Sequence, residues 1–569
     1  MRVLPKSKHR YIILIGVFLF LLFCSREIGN FYQTGHAGFV NAEVGLSHMN
    51  TINNGPIRTK LGATNYQVIF DRAPELEEYY VRYPHLHNLL MAALWSVTGV
   101  SEIAARLFVI FLTLGSLFIF YRIALELDFG PKASSFVFFT LCCFPVFFHY
   151  AGLSNGEISM LFPLALTYLF FIKNIKSPEF RSRFFLFLSL SIACQLFWYA
   201  YLAAFVLFID CLLQYSRTKD RSYLKLCLGF VVTVTVNISI FILHTFWMVG
   251  SLDKVLEAFL WRTSLRLPET QVFTWFDFFV RFLQRYWLFN PVIILLALFT
   301  LVRILRKKKS LETTPLLKNR MLFILLCTPL LFSLALSHLV HYHDFLVIYF
   351  AFFLALAGID AFFRLLERRP EGSNKKLLTT GLVTALILFA VFGVLKEPEE
   401  KYLDIEKDNF ELYFALNVIH NLSTKDDMFL LTLNRIQEPQ VSFYLRRVSE
   451  FNHVPKWAKG YAESGKFSFY LVDNVMEYRP LIKYLFKHYR CYKYYRYFLF
   501  DLRRPGEGFR VFRREQREPN LLRKYFISPN YGPGDYREIS DQRTKDNIMR
   551  MFEEAPDLKF EEDEETGKQ

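Results

Sequence analysis

Glu157 stands in the short polar stretch Ser154-Asn155-Gly156-Glu157, with an apolar run on either side. An ionisable group inside a membrane span is a site candidate by default, and at a boundary the presumption is weaker. A solvated loop carboxylate is therefore the competing reading, although so short a loop cannot wander far from the membrane face. The same weighing applies to His338, His341, His343 and Asp344, which bunch where one apolar run ends and another begins. A third polar group follows the first apolar run: Gln33, His36, Asn41, Glu43, Asn50 and Asn54-Gly55, then Tyr79-Tyr80 and Tyr83-Pro84-His85-Leu86-His87-Asn88. In a fourth, Arg262, Arg266, Arg281 and Arg285 lie among Trp261, Trp275, Trp287 and several Phe. Two readings stay open for these arginines: snorkelling anchors at a membrane interface, or a cationic site for a lipid-linked phosphate, whose oxygens suit the guanidinium fork. No HExxH, GxSxG or glycine-rich phosphate loop appears, so hydrolase and P-loop chemistry lack support. Seven of the eight cysteines sit in apolar runs and Cys491 stands alone, without CxxC or Cys/His metal spacing.

The elements that must position these groups are membrane helices. The 569 residues are 53% hydrophobic, 18% aromatic and only 21% charged, with 63 Phe and a mean hydropathy of +0.23. Soluble proteins carry about 25% charged residues and do not stay apolar over such a length. A basic N-terminus leads into an apolar run from Tyr11 to Cys24, and bulky Phe23 before that Cys argues for a retained signal anchor. Further runs fall at roughly 104–124, 133–150, 158–173, 184–198, 200–214, 223–246, 286–304, 321–339, 344–365 and 377–395. That predicts about eleven spans.

Charge gives an independent check. Lys173/Lys176/Arg181/Arg183, Arg217/Lys219/Arg221, Arg303/Arg306/Lys307/Lys308/Lys309 and Arg364/Arg368/Arg369 all fall on the side of the N-terminus. This is the positive-inside pattern. Much of the formal net charge of +15 is then an orientation signal, and nucleic acid is excluded as a partner.

Three long polar regions follow on the opposite, non-cytoplasmic side: about 25–103, 247–285, and everything beyond 396. The segment from Leu86 to Val100 has helical apolar spacing. Leu252, Val255, Leu256, Phe259 and Leu260 mark an interfacial helix. After the last span, Asp408–Leu422 and Pro439–Arg447 read as helices, and Met428–Leu433, Lys466–Val472, Lys493–Leu502 and Phe509–Phe512 as strands. The expected fold is an all-α polytopic membrane domain of about eleven transmembrane helices (1–395), a small C-terminal α/β soluble domain (396–551) and an acidic disordered tail (552–569).

This arrangement resembles the glycosyltransferase-C superfamily, specifically bacterial polyprenyl-phosphate-sugar enzymes similar to protein O-mannosyltransferases and the lipid A aminoarabinose transferase. A long first outer loop follows the first span, and Ala42-Glu43, Asn50 and Gly55 look like the family's stretch there. Tyr83-Pro84-His85-Leu86 stands where members have a Pro-Pro-Leu or Pro-His-Leu motif. Thr98-Gly99-Val100-Ser101-Glu102, continuing to Ala105-Arg106, is similar to the family's Gly-x-Ser-Glu-x-x-Ala-Arg lead-in to the second span. Glu157 matches an acidic residue after the third span, and His341-Tyr342-His343-Asp344 looks like a polar start to a late span. The resemblance covers roughly the first 360 residues in loop order. One departure matters: members place an acidic residue, often Asp-Glu, shortly after the first span as base. Here that place holds His36-Ala37-Gly38, and the next carboxylate is Glu43.

The resemblance implies transfer of a sugar from a polyprenyl phosphate to a hydroxyl on the non-cytoplasmic side, with inversion, in a multi-pass protein of a bacterial inner membrane. Such transfer needs a base for the acceptor hydroxyl and polar or cationic groups for the leaving phosphate. The candidate bases are Glu43, Glu157 and His36. The candidate substrate and phosphate ligands are His85, Tyr83, Asn41, Arg262, Arg266 and His343. The acceptor is a lipid, a glycan or a protein. No resident cofactor is called for, and a divalent metal stays open because the family does not uniformly need one. The rivals are a non-catalytic binder of polyprenyl phosphate or sugar, made plausible by the missing acidic pair, and a secondary transporter, for which no inverted repeat with broken helices appears.

Overall fold

A computed structural model describes residues 9–28, 36–64, 68–75, 78–81, 83–254, 256–257, 260, 274–306, 313–369, 374–396, 408–433, 438–451, 458–473, 479–494, 496–506, 508–514 and 536–554. The chain divides into two units, 1–404 with 520–529, and 405–519 with 530–569.

The described regular elements of the first unit are helices, apart from an isolated bridge between Thr64 and Tyr79. Its first eleven helices are α1 (Arg10–Ile28), α2 (His36–Asn54), α3 (Leu86–Thr98), α4 (Glu102–Glu126), α5 (Gly130–Cys142), α6 (Pro145–Tyr150), α7 (Gly156–Ser159), α8 (Leu161–Lys176), α9 (Phe180–Cys194), α10 (Tyr199–Thr218) and α11 (Arg221–Val249). Trp275–Gln284, Pro291–Arg306, Thr313–Ala335, Ser337–Tyr342, Ala351–Glu367 and Lys375–Leu395 follow. Among the described residues seven helices are long and apolar enough to cross a membrane, or eight if one bent pair counts as a span. The protein is an integral membrane protein.

All the apolar runs of the sequence are helical, but their lengths do not confirm eleven crossings. The run 133–150 is broken, because Pro145 cannot donate to the α5 ladder and opens α6 instead. The runs 184–198 and 200–214 are separate helices as read, but α9 ends at Cys194 with only 15 residues before α10 opens at Tyr199. The run 286–304 is a pair, Trp275–Leu288 and Pro291–Arg306, bent by 115° where Pro291 restarts the helix. Of that pair, Trp275–Gln284 exposes Phe276, Phe279 and Leu283 while burying Phe278. A helix with one apolar face turned outward suits the plane of the interface rather than a crossing.

Aromatic packing holds the bundle. Phe120 stacks on Phe352 and Tyr199 on Tyr349, each with ring centroids 3.8 Å apart. Small residues let backbones approach, as membrane packing requires. A Cβ on Gly358 would lie 3.0 Å from the carbonyl oxygen of Ile293, so the helices Pro291–Arg306 and Ala351–Glu367 touch there. Ion pairs lie between the helices as well. Arg320 grips Asp210 with two nitrogens, at 3.1 and 2.5 Å.

Among the described residues the second unit holds seven strands: β1 (Met428–Thr432), β2 (Val448–Phe451), β3 (Phe469–Val472), β4 (Tyr489–Tyr494), β5 (Tyr497–Pro505), β6 (Phe509–Arg514) and β7 (Tyr536–Ser540). They form one mixed sheet in the order β2-β1-β3-β5-β4-β6-β7. The helices Asp408–Leu422 and Glu438–Leu445 lie where the sequence places them. The expected strand over 493–502 is instead two antiparallel strands, with Tyr494 paired to Tyr497 across the turn. Continuous aromatic character hid that turn, since neither Gly nor Pro marks it. The acidic tail falls beyond the described residues except where the helix Gln542–Glu554 reaches into it.

Candidate active site

Within the polar first segment, residues 36–54 form the helix α2. In α2, Phe39, Val40, Glu43, Val44 and Ser47 recur on one face and line a cavity of about 240 Å³. Across from them stand Tyr80, Tyr83, Pro84, His85, His87 and Asn88 from the segment that enters α3. Asn155, Gly156 and Glu157 of the short loop, with Leu339, His343 and Phe345, also line it. Glu43, Glu157, Tyr83, His85 and His343, from three separate polar groups of the sequence, thus face one cavity.

The other polar residues of α2 fix this wall. Ser47 Oγ donates to Asn88 Oδ1 at 2.8 Å and accepts from the Thr64 backbone N–H at 2.9 Å. Asn50 donates to Thr64 Oγ1 and accepts from the Ile69 N–H, at 2.9 and 2.8 Å. The segment 60–64 is pinned at its far side, because Lys60 Nζ donates to the carbonyl of Met248 at the end of α11, 2.7 Å away. Lys60 and Leu61 pay for that docking with positive φ, 50° and 58°.

His85 enters the site as a neutral donor. The Ala63 N–H donates to its Nδ1 at 3.1 Å, so the ring proton sits on Nε2. Burial, and then the neighbouring His244 with its ring 5.0 Å away, push the His85 pKa down to about 3. Nε2 is buried and has no hydrogen-bond partner among the described residues. His87 is also neutral, its pKa held at about 4 chiefly by burial. Its Nδ1 meets Ser159 Oγ at 3.0 Å, and its Nε2 lies 3.5 Å from Ser154 Oγ. Behind it, burial and then His87 hold His48 well below the usual histidine range.

Glu157 is placed by its own loop. Asn155 caps α7 by accepting from the Ile158 N–H at 3.0 Å, and Tyr349 OH donates to the Glu157 carbonyl at 3.3 Å. Asn41 takes a positioning place rather than a lining one: its Oδ1 accepts from the Ser154 N–H at 2.7 Å, tying α2 to this loop. Gly156 is required by contact, since a Cβ there would lie 2.3 Å from the backbone oxygen of Leu196.

His343 is placed by a buried clamp. Arg285 Nε donates to Asp344 Oδ1, while its two terminal nitrogens donate to the carbonyls of Val340 and His341, the latter at 2.8 Å. All three guanidinium nitrogens are therefore spent on the turn that carries His343 to the cavity. Burial first, then Arg281 and Arg285, lower the pKa of His341. The lead-in to α4 is structural too: Ser101 caps α4 from 3.2 Å, Trp95 donates to its carbonyl, and Arg106 donates to the Ile28 carbonyl at the end of α1.

Arg262 and Arg266 lie outside the described residues, and so does the side chain of His36, whose backbone opens α2. The stretch from Leu252 to Leu260 is described only in part. Among the described residues no three His, Cys, Asp or Glu side chains come together as a metal site needs. The divalent metal left open by the sequence therefore finds no fitting ligand set among them. Sequence reasoning passed over Ser47, Thr64, Ser159 and His48. The spacing of four from Glu43 to Ser47 was the available signal, once 36–54 is read as a helix.

No protein-family model matches the chain, and no curated protein matches it in sequence. Solved structures do match. ArnT from Cupriavidus metallidurans bound to undecaprenyl phosphate superposes with a TM-score of 0.55 at 12% identity, over 87% of this chain and 98% of its own. Its apo state gives 0.54 at 11%, over the same shares. The archaeal oligosaccharyltransferase AglB from Archaeoglobus fulgidus, in complex with an inhibitory peptide and a dolichol-phosphate, gives 0.54 at 11%, over 87% of this chain and 74% of its own. Likeness at such identity is a likeness of fold. This integral membrane protein has the glycosyltransferase-C fold that its loop motifs resemble.

Proposed function

We propose that the chain is a membrane glycosyltransferase that moves a sugar from a polyprenyl-phosphate carrier to an acceptor hydroxyl on the non-cytoplasmic side of a bacterial inner membrane. The observation that carries this reading is the meeting of two half-buried carboxylates, Glu43 and Glu157, in one cavity with a neutral donor and aromatic walls. The solved structures of the same fold, two of them with a polyprenyl or dolichol phosphate bound, support it.

In the proposed reaction one carboxylate, Glu43 or Glu157, takes the proton of the acceptor hydroxyl as its oxygen attacks the anomeric carbon. The bond from that carbon to the phosphate oxygen breaks, and the polyprenyl phosphate leaves with the electron pair. A single displacement inverts the anomeric configuration. The other carboxylate orients the sugar hydroxyls, and His85 Nε2–H donates to an oxygen of the phosphate or the sugar. Tyr80 and Tyr83, stacked with centroids 5.7 Å apart, give the sugar an aromatic wall. His36, Arg262 and Arg266 stay with the same roles as candidates, and the acceptor is a lipid, glycan or protein. The C-terminal domain, from 396 to 551, is non-cytoplasmic in this reading.

Membranes containing the protein, given a radiolabelled polyprenyl-phosphate sugar, test the base. Glu43→Gln or Glu157→Gln lowers the transfer rate by about 10²–10⁴ at the residue that is the base. Transfer left intact by both substitutions overturns the assignment.

A further inference from the structure

A second charged centre lies at the far end of the helical unit. Phe345 and Leu339 line the cavity, and the helices Ala351–Glu367 and Thr313–Ala335 run from that end to the opposite one. There Asp360, with its side chain only 3% exposed, receives three cations from three helices. Arg303 lies at 3.0 Å, Arg364 at 2.8 Å, and Lys318 is in direct contact. Lys318 Nζ also sits 3.9 Å over the ring of Phe129.

One carboxylate cannot balance three cations. Lys318 and Arg303 are 13% and 17% exposed, so water screens the surplus poorly. Arg303 keeps a buried Nε without a partner among the described residues. Arg364 is more open, at 38%, and Arg368 follows at the C-cap of the same helix. An anion that reaches in from the surface past Arg364 would meet Arg303 and offset this charge.

The surroundings favour a lipid as the source of that anion. Val302 and Leu305 flank Arg303 on its own helix and are 44% and 61% exposed, and Leu365 beside Arg364 is 41% exposed. Apolar surface directly beside a basic pocket between membrane helices suits acyl chains beneath a phosphate headgroup. We propose that Arg303, Lys318 and Arg364 around Asp360 bind the phosphodiester headgroup of an anionic glycerophospholipid in the leaflet remote from the catalytic cavity.

The test uses the full chain in zwitterionic phosphatidylcholine nanodiscs, titrated with phosphatidylglycerol and read by retained lipid and unfolding temperature. Phosphatidylglycerol is expected to raise the unfolding temperature and to be retained in preference to phosphatidylcholine, the preference shrinking as salt screens the charge. Arg364→Gln, on the open side of the cluster, should weaken that preference roughly 5-fold while leaving the lipid-free unfolding temperature within a degree or so. Arg303→Gln with Arg364→Gln should abolish it. Equal retention of both lipids, or unchanged preference in Arg364→Gln, overturns the proposal. A stabilisation reproduced in full by millimolar inorganic phosphate overturns the lipid as its source.

Discussion

His85 meets its ligand as an uncharged imidazole whose proton is already on the nitrogen that faces outward from the Ala63 backbone. As the buried ring protonates only near pH 3, its donor state does not change anywhere between pH 5 and 8. The rate profile over that window should then contain no step that belongs to His85. His85→Phe, which keeps a ring and loses the donor, should lower transfer about 10- to 100-fold by the cost of one unmade buried hydrogen bond. The profile measured for both proteins checks this: an acid limb that disappears with His85 contradicts the neutral-donor role. At this scale the sequence was legible in part. The tetrad Tyr83-Pro84-His85-Leu86 marked the residue, and three of the four polar groups supplied polar lining. Its charge state was not legible, because it depends on a backbone N–H 22 residues away and on burial that no local pattern records. The hydrogen bond of Asn41 was out of reach for a similar reason, since its partner Ser154 is 113 residues distant.

Two short elements set the positions of Glu157 and His343, and each can be broken by one substitution. Gly156→Ala drives a methyl group into the Leu196 carbonyl, so the loop must shift and carry Glu157 with it. Transfer should fall at least about 100-fold, as expected of a displacement of about 1 Å at a reacting group. The helices should keep their far-ultraviolet circular dichroism, and wild-type activity in this variant would contradict the placement of Glu157. Arg285→Met empties the clamp on the turn 340–344 and leaves Asp344 buried without its cation. A loss of about 3–5 kcal/mol in unfolding free energy follows from breaking such a buried pair. Denaturant unfolding in detergent reads it, and a loss below about 1 kcal/mol would contradict the clamp. The helices themselves were legible through apolar runs and basic clusters. The break between the runs 184–198 and 200–214 was legible too, whereas those at Pro145 and Pro291 fell inside runs read as continuous. The helix α2 was hidden by its own function, because Ser47, Asn50, Thr51 and Asn54 give it the composition of a loop while each serves a buried hydrogen bond.

Across the whole molecule the membrane fold follows from composition, whereas the number of crossings does not, since broken and bent helices satisfy hydropathy without spanning. Burying neutral histidines has a further global consequence. His87 and His85 hold pKa values of about 4 and 3, below the 6.5 of an unfolded histidine. The unfolded chain therefore binds more protons below pH 6.5. Stability is complete above that pH and falls as the pH drops through 6.5 toward 4. The unfolding temperature should decline over this interval, and less steeply in His87→Asn; identical slopes in both proteins would contradict the burial of a neutral His87. The second unit joins parallel and antiparallel strands in one sheet, and its order was beyond reach because β4 and β5 read as a single strand. The central claim concerns chemistry at the cavity, and one measurement reaches it. Purified protein in proteoliposomes receives a polyprenyl-phosphate sugar labelled in the sugar, with an acceptor fraction from the cell envelope. The account predicts that label passes covalently to the acceptor, one polyprenyl phosphate being released per sugar transferred. Label that stays on the carrier, or that crosses the membrane without forming a product, would contradict it.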